Sequence, residues 1–272
     1  MRSISVVTTF NKQGLDTYAQ KMIDTFISTW PQDVTLYAYA EDCCPVVSPD
    51  VTNVKVYNLH KESPKLVAFK EKWKNVPKAN GDVSADPIRS KRKDAGKGFK
   101  WDAVRFAHKV YAIFECAKIC NTDILFWMDA DMICHSPISI NELQKLLPEQ
   151  KDLWYVGRER KWPECGLYAI NLKSSNGLNF LQEFERVYEE AEQGIFLMEE
   201  WHDSFVFEVV RTKMPLNSHN WGAGIVRGEG HPIINSVWGA YIDHLKGGRK
   251  LQGKSRKTDL LKPRAEHYWR NI

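Results

Sequence analysis

The sequence has no long apolar run. No stretch approaches the roughly 18 residues that a membrane-spanning helix needs. The opening Met1-Arg2-Ser3-Ile4-Ser5-Val6-Val7-Thr8-Thr9 is too short for a signal-peptide core, and no small-residue cleavage site follows it. These absences predict a soluble, cytoplasmic protein with no membrane partner. Cysteine is scarce and unframed. Cys43, Cys44, Cys116, Cys120, Cys134 and Cys165 form no paired C-x-x-C pattern. That speaks against a cysteine zinc site and predicts reduced, mostly buried thiols. There is no internal repeat, coiled coil or low-complexity tract.

What is present suits one large domain spanning residues 1–272. Apolar residues make up 43% and aromatics 12%, enough for a real core. Charged residues, at 26%, sit near the globular average, which argues against global disorder. The net charge of +4 is modest but unevenly spread. One basic block runs from Lys91 to Lys100. Another is the tail, residues 249–272, with Lys250, Lys254, Arg256, Lys257, Lys262 and Arg264. Such blocks suit either a solvated surface or a polyanionic partner such as DNA. Charge alone favours the first.

The pattern along the chain alternates strands and helices. Ile4–Thr9 is a β-branched, apolar strand. Leu15, Tyr18, Met22 and Phe26 then recur at helical spacing until Trp30, where Pro31 stops the helix. Val34–Ala40 and Val54–Leu59 read as the next strands. This start predicts an α/β fold with a mostly parallel sheet and helices on both faces. Residues 61–98 break the rhythm with Pro64, Pro77, Pro87 and many lysines. They read as an inserted basic region of short helices, its second half a mobile loop. A helix over Asp102–Lys118 follows. Further strands are expected at Asp123–Met128, Trp154–Gly157, Cys165–Leu172 and Trp238–Asp243, with helices around Phe180–Ala191 and from Asp203.

Two clusters carry chemistry. Asp129-Ala130-Asp131 directly follows the apolar Ile124–Met128. A lone D-x-D is weak, but two carboxylates at the carboxyl end of a buried strand need a positive partner. A hard divalent cation with phosphate oxygens in its shell supplies one. The second cluster is His244-Leu245-Lys246-Gly247-Gly248-Arg249-Lys250, again after an apolar stretch. An imidazole can complete a metal site, glycines let backbone amides approach a diphosphate, and Lys246 and Lys250 can neutralise it.

With D-x-D followed by H-x-x-G-x-x-K, the chain resembles the GT-A-fold glycosyltransferases. The likeness is strongest to glycosyltransferase family 8, which includes glycogenin and bacterial galactosyltransferases. The resemblance implies a Rossmann-type GT-A-like sheet. It implies that Asp129, Asp131 and His244 hold a divalent ion, Mn2+ (or Mg2+), and that Gly247 and Lys250 hold the diphosphate of a nucleotide sugar, a UDP-sugar first of all. Glu164-Cys165-Gly166-Leu167-Tyr168-Ala169-Ile170-Asn171-Leu172 is similar to a family strand of the type N-S-G-hydrophobic-I-N-L, which brings Gly166 into the donor site. Trp201-His202-Asp203 stands where the family has a D-Q-like pair, and only Asp203 matches. Arg105 and Lys109 are the candidates for the family's basic contact upstream of D-x-D. Thr8, Thr9 and Phe10 end the first strand, where the family seats the nucleoside. The family's K-P-W ending after Lys250 is missing.

The resemblance implies transfer with retention of configuration. An inverting enzyme needs a carboxylate base, and Asp203 or Glu164 would be that base. As structural alternatives, Asp203 could simply cap a helix and Arg105 could simply pair with Asp102. For the acceptor, Gly98-Phe99-Lys100-Trp101-Asp102-Ala103-Val104-Arg105-Phe106 resembles phage-encoded transferases that glycosylate modified bases in DNA. That implies a 5-hydroxymethylpyrimidine acceptor and a host-cell cytoplasmic setting. Trp101, Trp162 and Trp201 are candidate stacking surfaces for a flipped base, though any single tryptophan is better read as a core or sugar-site aromatic. A cell-surface glycan or protein acceptor is the alternative. A nucleic-acid-binding or nucleotidyl-transfer protein is the alternative of another class.

Overall fold

The structure, a computed structural model, describes residues 1–159, 161–225 and 231–272. Its strands are β1 (Ile4–Asn11), β2 (Thr35–Glu41), β3 (Val54–Asn58), β4 (Ile124–Met128), β5 (Met132–Cys134), β6 (Leu153–Arg158), β7 (Lys161–Asn171), β8 (Ser218–Asn220) and β9 (Ile242–His244). Seven of them form one sheet in the order β3-β2-β1-β4-β7-β6-β8, and β5 pairs with β9 apart from it. Among the described strands of the large sheet, β7 alone runs against the others.

The two faces follow from side-chain alternation along the strands. Ile124, Phe126 and Met128 of β4 enter a core with Met22, Ile23 and Phe26 of the helix Gln20–Thr29. Leu125 and Trp127 enter the opposite core, with the helices Ala103–Ile119, Ser175–Glu189 and Asp203–Lys213. The α/β class, the mostly parallel sheet and the helices on both faces are as the pattern predicts. The helix after Trp101 begins where its chemistry says it should: the Asp102 side chain accepts from the Arg105 amide at 3.1 Å. All six cysteines are unpaired, and four are buried. Among the described residues, no helix is long and apolar enough to cross a membrane.

One segment differs from expectation. The strand expected over Trp238–Asp243 is a 3-10 turn, Val237–Ala240, followed by the short β9. The Ser236 side chain caps that turn, and Trp238 packs edge-on against Phe126 and Trp221. Anchoring the indole this way uses a turn, not an extended backbone. The basic segment after residue 81 is built of turns tied to its neighbours. Arg89 donates to the Met198 carbonyl at 2.9 Å, and Arg92 pairs with Glu199 at 2.5 Å. The C-terminal residues pack back on the fold. The Tyr268 hydroxyl donates to Asp243 at 2.7 Å and the Trp269 indole donates to the Gly239 carbonyl at 2.6 Å.

That packing makes stability pH-dependent. His135 stacks on Tyr268 with ring centroids 4.1 Å apart, and burial lowers its pKa to about 4. Burial, helped by Arg249, also lowers His231 to about 4. Unfolded histidines titrate near 6.5, so as pH falls the unfolded chain takes up these protons first. The stabilisation is fully present above pH ~6.5 and drains away towards pH ~4. The melting temperature should fall across that window in calorimetric scans, and His135→Phe should flatten the fall.

Candidate metal and donor site

Asp129, Ala130 and Asp131 join β4 to β5. The Asp129 amide donates to the Gly166 carbonyl at 2.8 Å, which fixes the turn against β7. Pairing of β5 with β9 sets Met132 opposite His244, and the Leu245 amide then donates to the Asp131 carbonyl at 2.9 Å. This short ladder carries the imidazole to the carboxylates. His244 Nε2 lies 3.3 Å from Asp131 Oδ1 and 3.8 Å from Asp129 Oδ2. One donor atom from each of the three residues falls within 4.8 Å of the other two.

The remaining oxygens are assigned elsewhere. Asp129 Oδ1 accepts from Lys109 Nζ at 2.9 Å and from the Trp127 indole at 2.7 Å. Asp131 Oδ2 pairs with Lys250 Nζ at 2.8 Å. Lys250 in turn sits 4.7 Å over the Tyr18 ring. Asp131 Oδ1 and His244 Nδ1 are buried with no hydrogen-bond partner. Burial pushes the Asp129 carboxyl above its usual range, against the pull of Lys109. Burial would raise Asp131 too, but His244 and Lys250 hold it well below the carboxylate range. Burial opposes the charge on His244, yet Asp131 raises it above the ordinary imidazole value. Two carboxylate oxygens and one imidazole, two of the three residues buried and one oxygen unsatisfied, are a donor set that fits a divalent cation of the manganese or magnesium type.

Gly166 leaves the space this centre needs. A Cβ there would stand 2.8 Å from His244 Cε1 and 3.2 Å from Asp129 Oδ2. Gly166→Ala should push the imidazole off the carboxylates and weaken manganese binding about 10- to 100-fold, on the scale of lost ligand orientation. Calorimetric titration of manganese checks it, with the metal-free melting temperature as the fold control.

A cleft of about 1150 Å3 opens on this centre. Lys109, Gly166, Asp203, Glu164, Lys246, Gly247 and Lys250 all line it. Gly247 has φ of 57°, the left-handed region in which a glycine is favoured. Asp203 is not the helix cap. His202 is: its side chain accepts from the Phe205 amide, and its Nε2 meets Glu200 at 2.9 Å. Asp203 instead faces Lys109 at 2.6 Å. Glu164 pairs with Lys246, and Arg158 lies 3.6 Å away. Burial works against the Glu164 charge, but Lys246, His244 and Arg158 outweigh it and pull the pKa down to about 2.

Other expected residues stand further out. Arg105 is exposed, its guanidinium 5.9 Å from the Phe106 ring, and it does not line the cleft. Its amide, not its side chain, meets Asp102. The Ala130 side chain is buried in the core, which leaves only its backbone for a ligand. Thr8, Thr9 and Phe10 lie in the C-terminal half of β1 and do not line the cleft; Thr8 and Phe10 are buried and the Thr9 hydroxyl donates to the Tyr39 carbonyl at 2.7 Å. Trp101 and Trp201 are fully buried, their indoles donating to the carbonyls of Glu199 and Met198, so neither can stack on a base. Trp162, at 37% exposure, sits on the cleft rim against Phe205. Sequence reasoning missed Tyr18, Trp127 and Arg158. Tyr18 and Trp127 looked like core aromatics because their spacing is that of core positions.

No protein-family model matches the chain, and no curated protein matches its sequence. Solved structures are similar to it. Mouse xyloside xylosyltransferase 1 in its apo form shares 14% identity over 80% of this chain and 84% of that one, with a TM-score of 0.43. The glycosyltransferase GlyE of Streptococcus pneumoniae TIGR4 shares 8% identity over 81% of this chain, with a TM-score of 0.42. This chain spans only 45% of GlyE. The galactosyltransferase LgtC, in complex with donor and acceptor sugar analogs, shares 12% identity over 76% of this chain and 70% of that one, with a TM-score of 0.41. The functional reading rests on the site itself.

Proposed function

We propose that the chain is a metal-dependent glycosyltransferase that moves a sugar from a nucleotide diphosphate sugar, a UDP-sugar first of all, to a hydroxyl acceptor. The observation that carries this reading is the convergence of Asp129, Asp131 and His244 beside Lys250 and the left-handed Gly247. A divalent cation held by the three would supply a Lewis-acid contact for the diphosphate. Lys250 is placed to balance charge on the departing diphosphate, and the backbone at Gly247 can approach its oxygens closely. The nucleoside is proposed to sit beside the C-terminal half of β1, where Thr8 and Phe10 are buried and back the strand from within rather than line the cleft. Lys109 holds Asp129 and Asp203 in place from the floor of the cleft.

Transfer with retention is the stereochemistry we favour. An inverting mechanism needs a free carboxylate base near the acceptor. Asp203 is tied to Lys109, and Glu164 is held as an anion by Lys246 and Arg158. Neither is free to take a proton.

For the acceptor we propose a 5-hydroxymethylpyrimidine in DNA. The support is the exposed Lys97 lining the cleft and the exposed Lys91 and Lys93 on either side of the cleft-lining Arg92, with Phe99 and Trp162 also on the cleft. Arg92 and Lys100 contribute less net charge, because Asp94, Glu199 and Glu200 pair with them. The test supplies a panel of radiolabelled nucleotide sugars with manganese to hydroxymethylated duplex DNA, unmodified DNA and simple glycosides. Label on the hydroxymethylated duplex alone is the expected result. Label on glycosides alone keeps glycosyl transfer and removes DNA. Absence of transfer, hydrolysis and donor binding across the panel overturns the whole reading.

A further inference from the structure

A second cluster of metal-type side chains lies outside the cleft. Glu41 ends β2, His60 belongs to the short helix Leu59–Glu62 that follows β3, and His108 lies on the helix Ala103–Ile119. Three separate elements thus bring one carboxylate and two imidazoles together, each offering a donor atom within 4.8 Å of the others. Their side chains are only 14–21% exposed.

The contacts within the cluster are not those of a finished hydrogen-bond network. His108 Nδ1 and Glu41 Oε2 are 2.7 Å apart, yet the buried Nδ1 makes no hydrogen bond to any partner. The two imidazoles meet edge to face with centroids 5.8 Å apart. Ligands of one zinc ion, each about 2.0–2.2 Å from it, crowd each other at roughly 3 Å in this way. Asp42 Oδ2, 3.0 Å from His60 Nδ1, adds a carboxylate that can orient that ring. Lys70 Nζ lies 3.1 Å from His60 Nε2, so a cation already faces the imidazole.

We infer that Glu41, His60 and His108 form a second divalent-metal site, of zinc class, distinct from the Asp129–Asp131–His244 centre. The donor balance separates the two. Two imidazoles and one carboxylate suit zinc, whereas a carboxylate-rich set with phosphate oxygens suits manganese or magnesium. The site clips the end of β2 to the helix that carries Lys109, one residue beyond His108. Glu41 is also the register partner of Asn11 at the end of β1. Zinc there ties the ends of β1 and β2 to that helix. The inference does not depend on glycosyl transfer.

The test uses the full chain, stripped of metal with a chelator, in an Asp131→Asn background that disables the first centre. Zinc chloride is titrated by calorimetry, and cobalt substitution is followed by its visible absorption. One zinc per chain should bind and raise the melting temperature. His108→Asn and His60→Asn should each weaken binding at least about tenfold and change the cobalt spectrum. Lys70→Met, which removes the competing ammonium, should tighten it. Cys43→Ser with Cys44→Ser should leave it unchanged. Circular dichroism and metal-free melting report whether each variant folds, and Glu41→Gln gives the same readout if a histidine variant does not. Absence of zinc binding in the Asp131→Asn protein overturns the inference. So does binding that survives both histidine changes or is lost with the cysteines.

Discussion

Asp131→Ala should abolish manganese-dependent donor binding and with it sugar transfer, by at least about a hundredfold. The reason lies in how many functions meet at one carboxylate. Its Oδ1 faces His244, its Oδ2 faces Lys250, and its carbonyl anchors Leu245. Removing the side chain costs the cluster a candidate ligand and releases Lys250, which the proposed function assigns to the diphosphate. The backbone anchor stays, so β5 and β9 should still pair and the fold should hold. The measurement is a thermal-shift titration of a nucleotide diphosphate sugar with and without manganese. The wild-type chain should gain melting temperature only when both are present, and the variant should gain nothing. His244→Ala should behave alike. If either variant binds donor normally, that residue is not a ligand. Asp129→Ala differs in kind, because it also leaves Lys109 and the Trp127 indole without their shared oxygen.

The two halves of the centre were legible in the sequence for a simple reason. Each follows an apolar stretch, and charge placed there must be met. What joins them was not legible. Trp238–Asp243 has strand-like composition, yet the chain turns there to bury Trp238, and only Ile242–His244 is extended. The pairing of Met132 with His244 is a long-range register that no local pattern encodes. Tyr18 was hidden by helical spacing, which marks a core face but not its end. Its ring looks out to Lys250 at the point where Gly14 and a π-helical turn, Leu15–Ala19, begin the first helix. For the tryptophans, burial decides between the core role and the stacking role. Of Trp101, Trp162 and Trp201, only Trp162 keeps an exposed face: the Trp101 indole ties its segment to the Glu199 carbonyl, and the Trp201 indole closes a local turn onto the Met198 carbonyl. The zinc-class cluster was invisible because Glu41, His60 and His108 lie on three elements, with no motif spacing between them.

Lys109→Met should be the most damaging single change to stability. Lys109 is buried, on a helix whose inner face is otherwise apolar. Burial works against its charge, and Asp129 and Asp203 more than restore it, holding the ammonium above its usual value. Its Nζ lies 2.9 Å from Asp129 and 2.6 Å from Asp203, donates to the Cys165 carbonyl, and sits 4.8 Å over the Trp127 ring. Methionine matches much of the stem but leaves the buried Asp203 and the part-exposed Asp129 facing each other's charge. Breaking a buried pair by removing one partner costs about 3–5 kcal/mol. For a chain of this size that is a fall of roughly 6–20 °C in melting temperature. The loss should shrink when manganese is added, because the cation can answer Asp129, but not vanish, because Asp203 remains unpaired. Adding Asp203→Asn to Lys109→Met should recover part of the stability while transfer stays impaired. A double variant no more stable than Lys109→Met alone would show that Asp203 is not the charge left exposed, and that the lysine acts through packing against Trp127.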